Sequence, residues 1–370
     1  MASPNSYFVD PVGGNDTTGD GSIGTPWASV QKALDTADLA TTDTTGAQIN
    51  VKSGGADTLT AALDVDGTGK YGNPTVDAPL IIRGYDLVEN DGGIGEIDGN
   101  NTYGIINDNV VDNITFIDMK MGNCGSAQIL DLDRYITIIR CELYGSSAGI
   151  GVEMTNYNTV IDCYIHSCTG ANAAIRPGGY GLIDSCFVDC GTANTEGIRT
   201  AAGLICINNI VKVNNASATG IHGAGSLNHI IGNSVYAGSS GAAYGIEISP
   251  SGTFLNVVYN NVIEGTTDPI AATDVSSDPI AVIKSNFLYN NTNPIDVGTD
   301  TPFLNEDNVN LTASPFIDPD NNDFRVTSEL REKGFPQVFR GAPLSANYLD
   351  AGACQRKEPL ISALQNARLG

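Results

Sequence analysis

Eight nine-residue segments of one pattern recur through the middle of the chain, and they restrict its fold more than any other feature. They are FIDMKMGNC from Phe116, IIRCELYGS from Ile138, VIDCYIHSC from Val160, LIDSCFVDC from Leu182, ICINNIVKV from Ile205, IIGNSVYAG from Ile230, VVYNNVIEG from Val257 and VIKSNFLYN from Val282. Their starts lie 22, 22, 22, 23, 25, 27 and 25 residues apart. Short apolar strands repeated at such a period mark a solenoid, in which each coil buries its apolar side chains only by stacking on its neighbours.

Side chains alternate along a strand, so the even positions of the unit are expected to face one interior. The second position is Ile117, Ile139, Ile161, Ile183, Cys206, Ile231, Val258 and Ile283, and the sixth is Met121, Leu143, Ile165, Phe187, Ile210, Val235, Val262 and Phe287. The fourth, Met119, Cys141, Cys163, Ser185, Asn208, Asn233, Asn260 and Ser285, reads as an interior ladder of small and amide side chains. A column of Ile105, Ile129, Ile150, Ile175, Ile198, Ile221, Ile246, Ile270 and Ile295 supplies another strand per coil. The expected fold is all-β, a right-handed parallel β-helix whose eight units span ~40 Å at the ~4.8 Å strand spacing.

The first position of the unit is also apolar on every coil: Phe116, Ile138, Val160, Leu182, Ile205, Ile230, Val257 and Val282. Either a bend turns it inward beside the second position, or it forms a surface stripe that joins subunits, with a parallel homotrimer as the closed arrangement.

A solenoid needs covered ends. Residues 1–45 are expected to form an N-terminal strand and capping helix, with Thr25 as N-cap, Pro26 at the first helical position and Trp27, Val30 and Leu34 on one face. The β-helix occupies residues 46–300 and an irregular cap residues 301–357. Residues 358–370, with Leu360 and Leu364 at helical spacing, are a terminal helix or an attachment peptide.

The net charge of −24, from 18 Lys+Arg against 42 Asp+Glu, repels phosphate backbones and excludes a nucleic-acid partner. No window reaches 18 uninterrupted apolar residues, so no membrane helix is expected, and the first residues lack the basic and apolar regions of a secretory signal. The eight cysteines are read as thiols made in a reducing host cytosol, spaced by the coil rather than as C-x-x-C metal pairs.

Chemistry is sought on the outer surface. The residue after each isoleucine of the further column should face solvent, giving Ile106, Leu130, Gly151, Arg176, Arg199, His222, Glu247, Ala271 and Asp296. Arg176, Arg199, His222 and Glu247 on consecutive coils would suit an acidic sugar: the guanidiniums neutralise its carboxylate, and His222 or Glu247 acts as base or acid. The competing interpretation is a ladder of ordinary surface ion pairs. Asp162 and Asp184, with Arg140 one coil below, are candidates for Ca²⁺; no other cofactor is implied. Tyr164 and Tyr259 are candidates for stacking on sugar rings.

The opening YFVDPVGGNDTTGDGSIGTPWASVQKAL resembles the first segment of the pectate-lyase-like right-handed β-helix superfamily, and SPFIDPDNNDFRV with LDAGACQ is similar to its C-terminal segments. That resemblance implies a polysaccharide lyase or hydrolase, a bacterial surface protein, or a bacteriophage virion protein. With no evident catalytic constellation, the expectation is a structural protein of a bacteriophage virion, a capsid decoration or tail-associated subunit. Its partners would be other virion proteins or itself, and a host-surface glycan. The alternatives are a lyase or glycoside hydrolase acting on an acidic glycan, and a non-catalytic glycan-binding module.

Overall fold

The computed structural model describes residues 4–36, 45–65, 74–106, 111–147, 150–170, 172–192, 196–249, 255–273, 281–296, 304–328 and 330, with backbone alone at 107, 338–339 and 342–343. It is a parallel β-solenoid of three long sheets. The first has 12 strands, from Asn5–Val9 to Leu304–Glu306; the second has 11, from Ala56–Thr58 to Val309–Asn310; the third has eight, from Ile106–Asn107 to Thr266–Ala272. Each central coil contributes one short strand to each sheet, and one continuous core of Ile, Val, Leu, Cys and Met runs between them.

The register corrects the sequence alignment by one residue. In the first sheet Phe116 pairs with Ile138, Ile138 with Val160, Val160 with Ile183, Ile183 with Cys206, Cys206 with Ile230, Ile230 with Val258 and Val258 with Ile283. These eight residues are the buried column. It therefore passes from the first position of the unit to the second, back at Ile230, and over again at Val258. Ile117, Ile139, Ile161 and Ile231 are half-buried on the outer face, as are Leu182, Val257 and Val282, while Ile205 is exposed. Neither a bend nor a single surface stripe is needed, because the apolar first position is core on some coils and outer face on others.

The same slip relocates the sixth position. Leu143, Ile165, Val188, Val211, Val235, Ile263 and Leu288 form the inward column of the second sheet, and Phe187, Ile210, Val262 and Phe287 lie on its outer side. There they seat the C-terminal hairpin of Phe316–Asp318 and Asp323–Val326, whose Phe316, Phe324 and Val326 join them and Tyr236 in a second apolar cluster. The segment after the coils is thus a cover over one sheet face.

At the turn between the first two sheets, one residue per coil adopts the left-handed conformation: Asp118, Arg140, Asp162, Ser185, Asn208, Asn260 and Ser285 have φ between 52° and 57°. The residue that follows points inward, so the interior ladder is Met119, Cys141, Cys163, Cys186, Asn209, Asn233, Asn261, Asn286 and Asn308. Ser185, Asn208, Asn260 and Ser285 are the turn residues before it. Each asparagine carboxamide from Asn209 to Asn286 donates through Nδ2 to Oδ1 of the next at 2.9–3.0 Å. The backbone N–H groups of the same four residues donate to those oxygens at 2.9–3.0 Å. The seven cysteines among the described residues are free and buried, and burial raises the thiols of Cys124, Cys168 and Cys206 to about 12, as expected of inert core groups.

The capping helix is Val30–Thr36, shorter than the sequence suggested. Its cap is Ser29, whose Oγ accepts from the Lys32 N–H at 3.2 Å, while Thr25 and Trp27 belong to the preceding turn. Trp27 is buried and donates its indole N–H to the Gly19 carbonyl at 3.0 Å. Val30, Ala33 and Leu34 close the end of the core. No helix of the described residues is long and apolar enough to cross a membrane.

Hairpin docking carries a pH dependence. Glu264, beneath the hairpin with Ser314 Oγ 3.0 Å from its Oε2, is raised to about 7 by burial and, less strongly, by Asp320, with the Ser314 hydrogen bond acting the other way. Between pH ~4.5 and ~7 the folded state holds more protons at this group than the unfolded state, so stability falls as pH rises through that window. Proteolysis of the hairpin should be faster at pH 8 than at pH 5, and Glu264→Gln should abolish the difference; equal rates in wild type would reject the coupling.

Candidate active site on the outer face of the third sheet

The third sheet carries an outward row of Asp131, Glu153, Arg176, Arg199, His222 and Glu247. Its register aligns Asn107 with Asp131, Asp131 with Glu153, Glu153 with Arg176, and Arg199 with His222, His222 with Glu247, Glu247 with Ala271, and Ala271 with Asp296. The pairing of Ile175 with Ile198 places Arg176 beside Arg199. Arg176, Arg199, His222 and Glu247 are therefore brought together as the sequence implies. Ile106, Leu130 and Gly151 are inward instead, and Asp131 and Glu153 take the outer places on their coils. Ala271 is buried as well.

The two guanidinium side chains remain 38% exposed, Arg176 against Glu153 and Arg199 at 3.5 Å from Glu196 Oε1. Burial and then the neighbouring Arg199 lower the Arg176 pKa, while Glu196 and Asp131 oppose them; Asp131 is itself raised by burial. Two like charges on adjacent coils repel, and an anionic ligand laid across them would relieve that repulsion.

His222 sits at the centre of a hydrogen-bonded line. Its Nδ1 is 2.7 Å from Glu196 Oε1, and its Nε2 is 2.6 Å from Ser249 Oγ. The His222 and Glu196 side chains are 12% and 13% exposed. Glu196 Oε2 is buried and without a hydrogen-bond partner among the described residues, so that carboxylate is committed to one contact edge. Glu247 is held at both oxygens, by the Thr219 hydroxyl at 3.1 Å and the Thr273 hydroxyl at 2.8 Å.

Glu196 and Ser249 are the functional candidates that the sequence reading passed over. Counting back from outward Arg199 by strict alternation sends residue 196 into the core. The strands break that alternation at Gly197, Gly220 and Gly245, where a Cβ would fall 2.4–2.5 Å from side-chain carbons of Val211, Val235 and Ile263. With two successive residues turned inward, Glu196 emerges beside Arg199. The usable signal was the glycine three coils running, directly before Ile198, Ile221 and Ile246.

The remaining candidates lie apart from this row. Asp162 is a turn residue stacked with Ser185, whereas Asp184 pairs with Ile161 in the first sheet, so they are not equivalent positions. The Asp162 carboxyl is raised by burial and then by Asp184, and Asp184 accepts from Ser185 and Asn208. Arg140 is engaged by Asp118 at 2.7 Å through two hydrogen bonds. Among the described residues no group of three or more His, Cys, Asp or Glu is placed to hold a metal ion. Tyr164 is on the second sheet, its ring stacked with His166 at 4.2 Å and with Phe187 at 5.2 Å. Tyr259 is on the first sheet beside Lys284. Leu360 and Leu364 lie outside the described residues.

No family model matches the chain, and no curated protein does. Two solved structures share its fold over most of its length. One is named glycoside hydrolase, with a TM-score of 0.56 at 9% identity, covering 83% of this chain and 96% of that one. The other is named rhamnogalacturonan lyase, with a TM-score of 0.58 at 11% identity, covering 98% of each chain. These likenesses show the fold, an all-β parallel β-solenoid. The expectation of a structural protein of a bacteriophage virion is corrected by these matches, which are named as a glycoside hydrolase and a rhamnogalacturonan lyase and not as virion proteins.

Proposed function

We propose that the protein is a carbohydrate-active enzyme that cleaves an acidic glycan laid along the outer face of the third sheet, and that it does so as a lyase. The observation that carries this reading is the adjacency of an exposed Arg176–Arg199 pair to an imidazole braced by a carboxylate, Glu196 to His222 at 2.7 Å. A uronate carboxylate held by the guanidiniums loses its negative charge in effect, which acidifies the proton on the adjacent ring carbon. His222 takes that proton, Glu196 stabilises the imidazolium that forms, the electron pair left on carbon forms the C=C bond as the glycosidic C–O bond breaks, and the departing oxygen takes up a proton from water. The glycoside hydrolase and the rhamnogalacturonan lyase of like fold support this choice over a structural role.

A panel of acidic and neutral glycans, followed by absorbance of unsaturated products and by new reducing ends, tests the proposal. Acidic chains should give both signals, and His222→Ala should lower kcat/KM by about 10²–10⁴-fold. Arg199→Ala should act mainly on KM. Reducing ends without the absorbance would replace lysis by hydrolysis, with Glu247 as the group to examine by Glu247→Gln. Binding without turnover would select the non-catalytic module.

A further inference from the structure

The hydrogen-bonded line through His222 ends on a hydroxyl, and its atoms fix the direction of the protons. An ionised carboxylate only accepts, so Nδ1 of the neutral ring must donate to Glu196 Oε1; Nε2 then holds the lone pair and accepts from the Ser249 hydroxyl at 2.6 Å. Carboxylate, imidazole and serine in this order, each within hydrogen-bond reach of the next, are the constellation that activates a serine nucleophile. The three groups come from three successive coils: Glu196 opens the strand Glu196–Thr200, His222 lies in Thr219–Gly223, and Ser249 follows Ala242–Ile248. The parallel register holds their separations, and the Ser249 N–H is anchored on the Gly223 carbonyl at 3.0 Å. Glu196 and His222 are largely shielded, whereas Ser249 is half-buried, so the line opens to solvent at its hydroxyl end.

We infer that Ser249 is a nucleophile activated by His222 and that the site hydrolyses O-acyl esters, with an acidic glycan as the carrier of the acyl group; only that choice of carrier rests on the function proposed above. Ser249 Oγ attacks the acyl carbonyl carbon while its proton passes to His222 Nε2, and Glu196 holds the imidazolium. Collapse of the tetrahedral adduct breaks the ester C–O bond, and the sugar alkoxide leaves with the proton from His222. Water, deprotonated by His222, then attacks the acyl-serine, releasing a carboxylic acid and restoring Ser249. The sum is ester plus water to alcohol plus acid. A bound ester above Ser249 and a bound uronate above His222 use the same imidazole in different encounters.

The test is covalent labelling of the full chain with a fluorophosphonate, mapped by peptide mass spectrometry, beside turnover of p-nitrophenyl acetate and of an O-acetylated polyuronide. One adduct on Ser249 is expected. Ser249→Ala should abolish labelling and ester turnover, His222→Ala should slow both at least about 10²-fold, and Glu196→Gln should lower kcat with little change in KM. Ser147→Ala, at an exposed serine just after the second-sheet strand Glu142–Ser146, serves as the control and should behave as wild type. Absence of an adduct on folded wild-type protein, or full ester turnover in Ser249→Ala, overturns the inference. Cleavage of acidic glycans without an adduct rejects the nucleophile alone. Labelling and p-nitrophenyl acetate turnover with no action on any acidic glycan keep the nucleophile and reject the glycan reading.

Discussion

Ile183→Asn is expected to leave the protein unfolded or nearly so, while Ile161→Asn leaves a folded protein that melts only slightly earlier. Both residues hold the same place in the sequence repeat, yet Ile183 is fully buried in the first-sheet column and Ile161 is half-buried on the outer face. At 183 the amide replaces packed methyl groups and finds no free partner, since the neighbouring backbone is already paired along the sheet. The lost packing and the stranded polar group together cost about 4 kcal/mol or more, whereas the outer position costs about 1 kcal/mol. Circular dichroism melts of the two variants decide it. Equal melting would reject the register, and a severe effect at 161 alone would restore the one first read from the repeat.

The second large effect separates two adjacent asparagines. Asn209→Leu should destabilise by several kcal/mol, and Asn208→Gly should change stability by less than about 1 kcal/mol. Asn209 is fully buried, donates to the Ile183 carbonyl at 3.0 Å and to Asn233 Oδ1 at 3.0 Å, and accepts the Cys186 N–H at 2.9 Å. Leucine fills the volume but strands the carbonyl and the N–H, at about 1–3 kcal/mol for each buried group left unpaired. Asn208 has φ of 56° and one side-chain contact, with Asp184 at the surface. Glycine takes that backbone conformation without strain, which offsets the lost contact. Urea titrations of both variants provide the comparison; similar midpoints would mean that the ladder does not hold the coils together.

The coil architecture was legible because its period survives substitution: an isoleucine every 21 to 25 residues cannot be mistaken for a helix stripe. Which of two adjacent apolar residues faces the core was not legible. An extra residue enters between Cys168 and Ala173, since Ser146 pairs with Cys168 at a separation of 22 and Val152 with Ile175 at 23. Both flanking positions on the next coil, Leu182 and Ile183, are apolar, so hydrophobicity could not report the shift. The outer row of Arg176, Arg199, His222 and Glu247 was found because each follows an isoleucine that stays inward. Glu196 escaped because alternation fails at Gly197, and Ser249 because it stands beyond the end of its strand. The covering hairpin was read as an irregular cap, since nothing in SPFIDPDNNDFRV names the distant Phe187 that it meets.

That hairpin also sets an order of events. Neighbouring coils bond across only some 22 to 28 residues, so coil after coil can zip up as the chain lengthens. Phe324 packs edge-on against Phe187, and the Lys212 ammonium bonds the Asp320 carbonyl across 108 residues. Those contacts have no surface to form on until five consecutive strands, from Phe187–Asp189 to Phe287–Tyr289, are already stacked. Closure of the hairpin consequently follows the stacking of those coils and reads their register: a chain with one of these coils out of register offers it a broken seat.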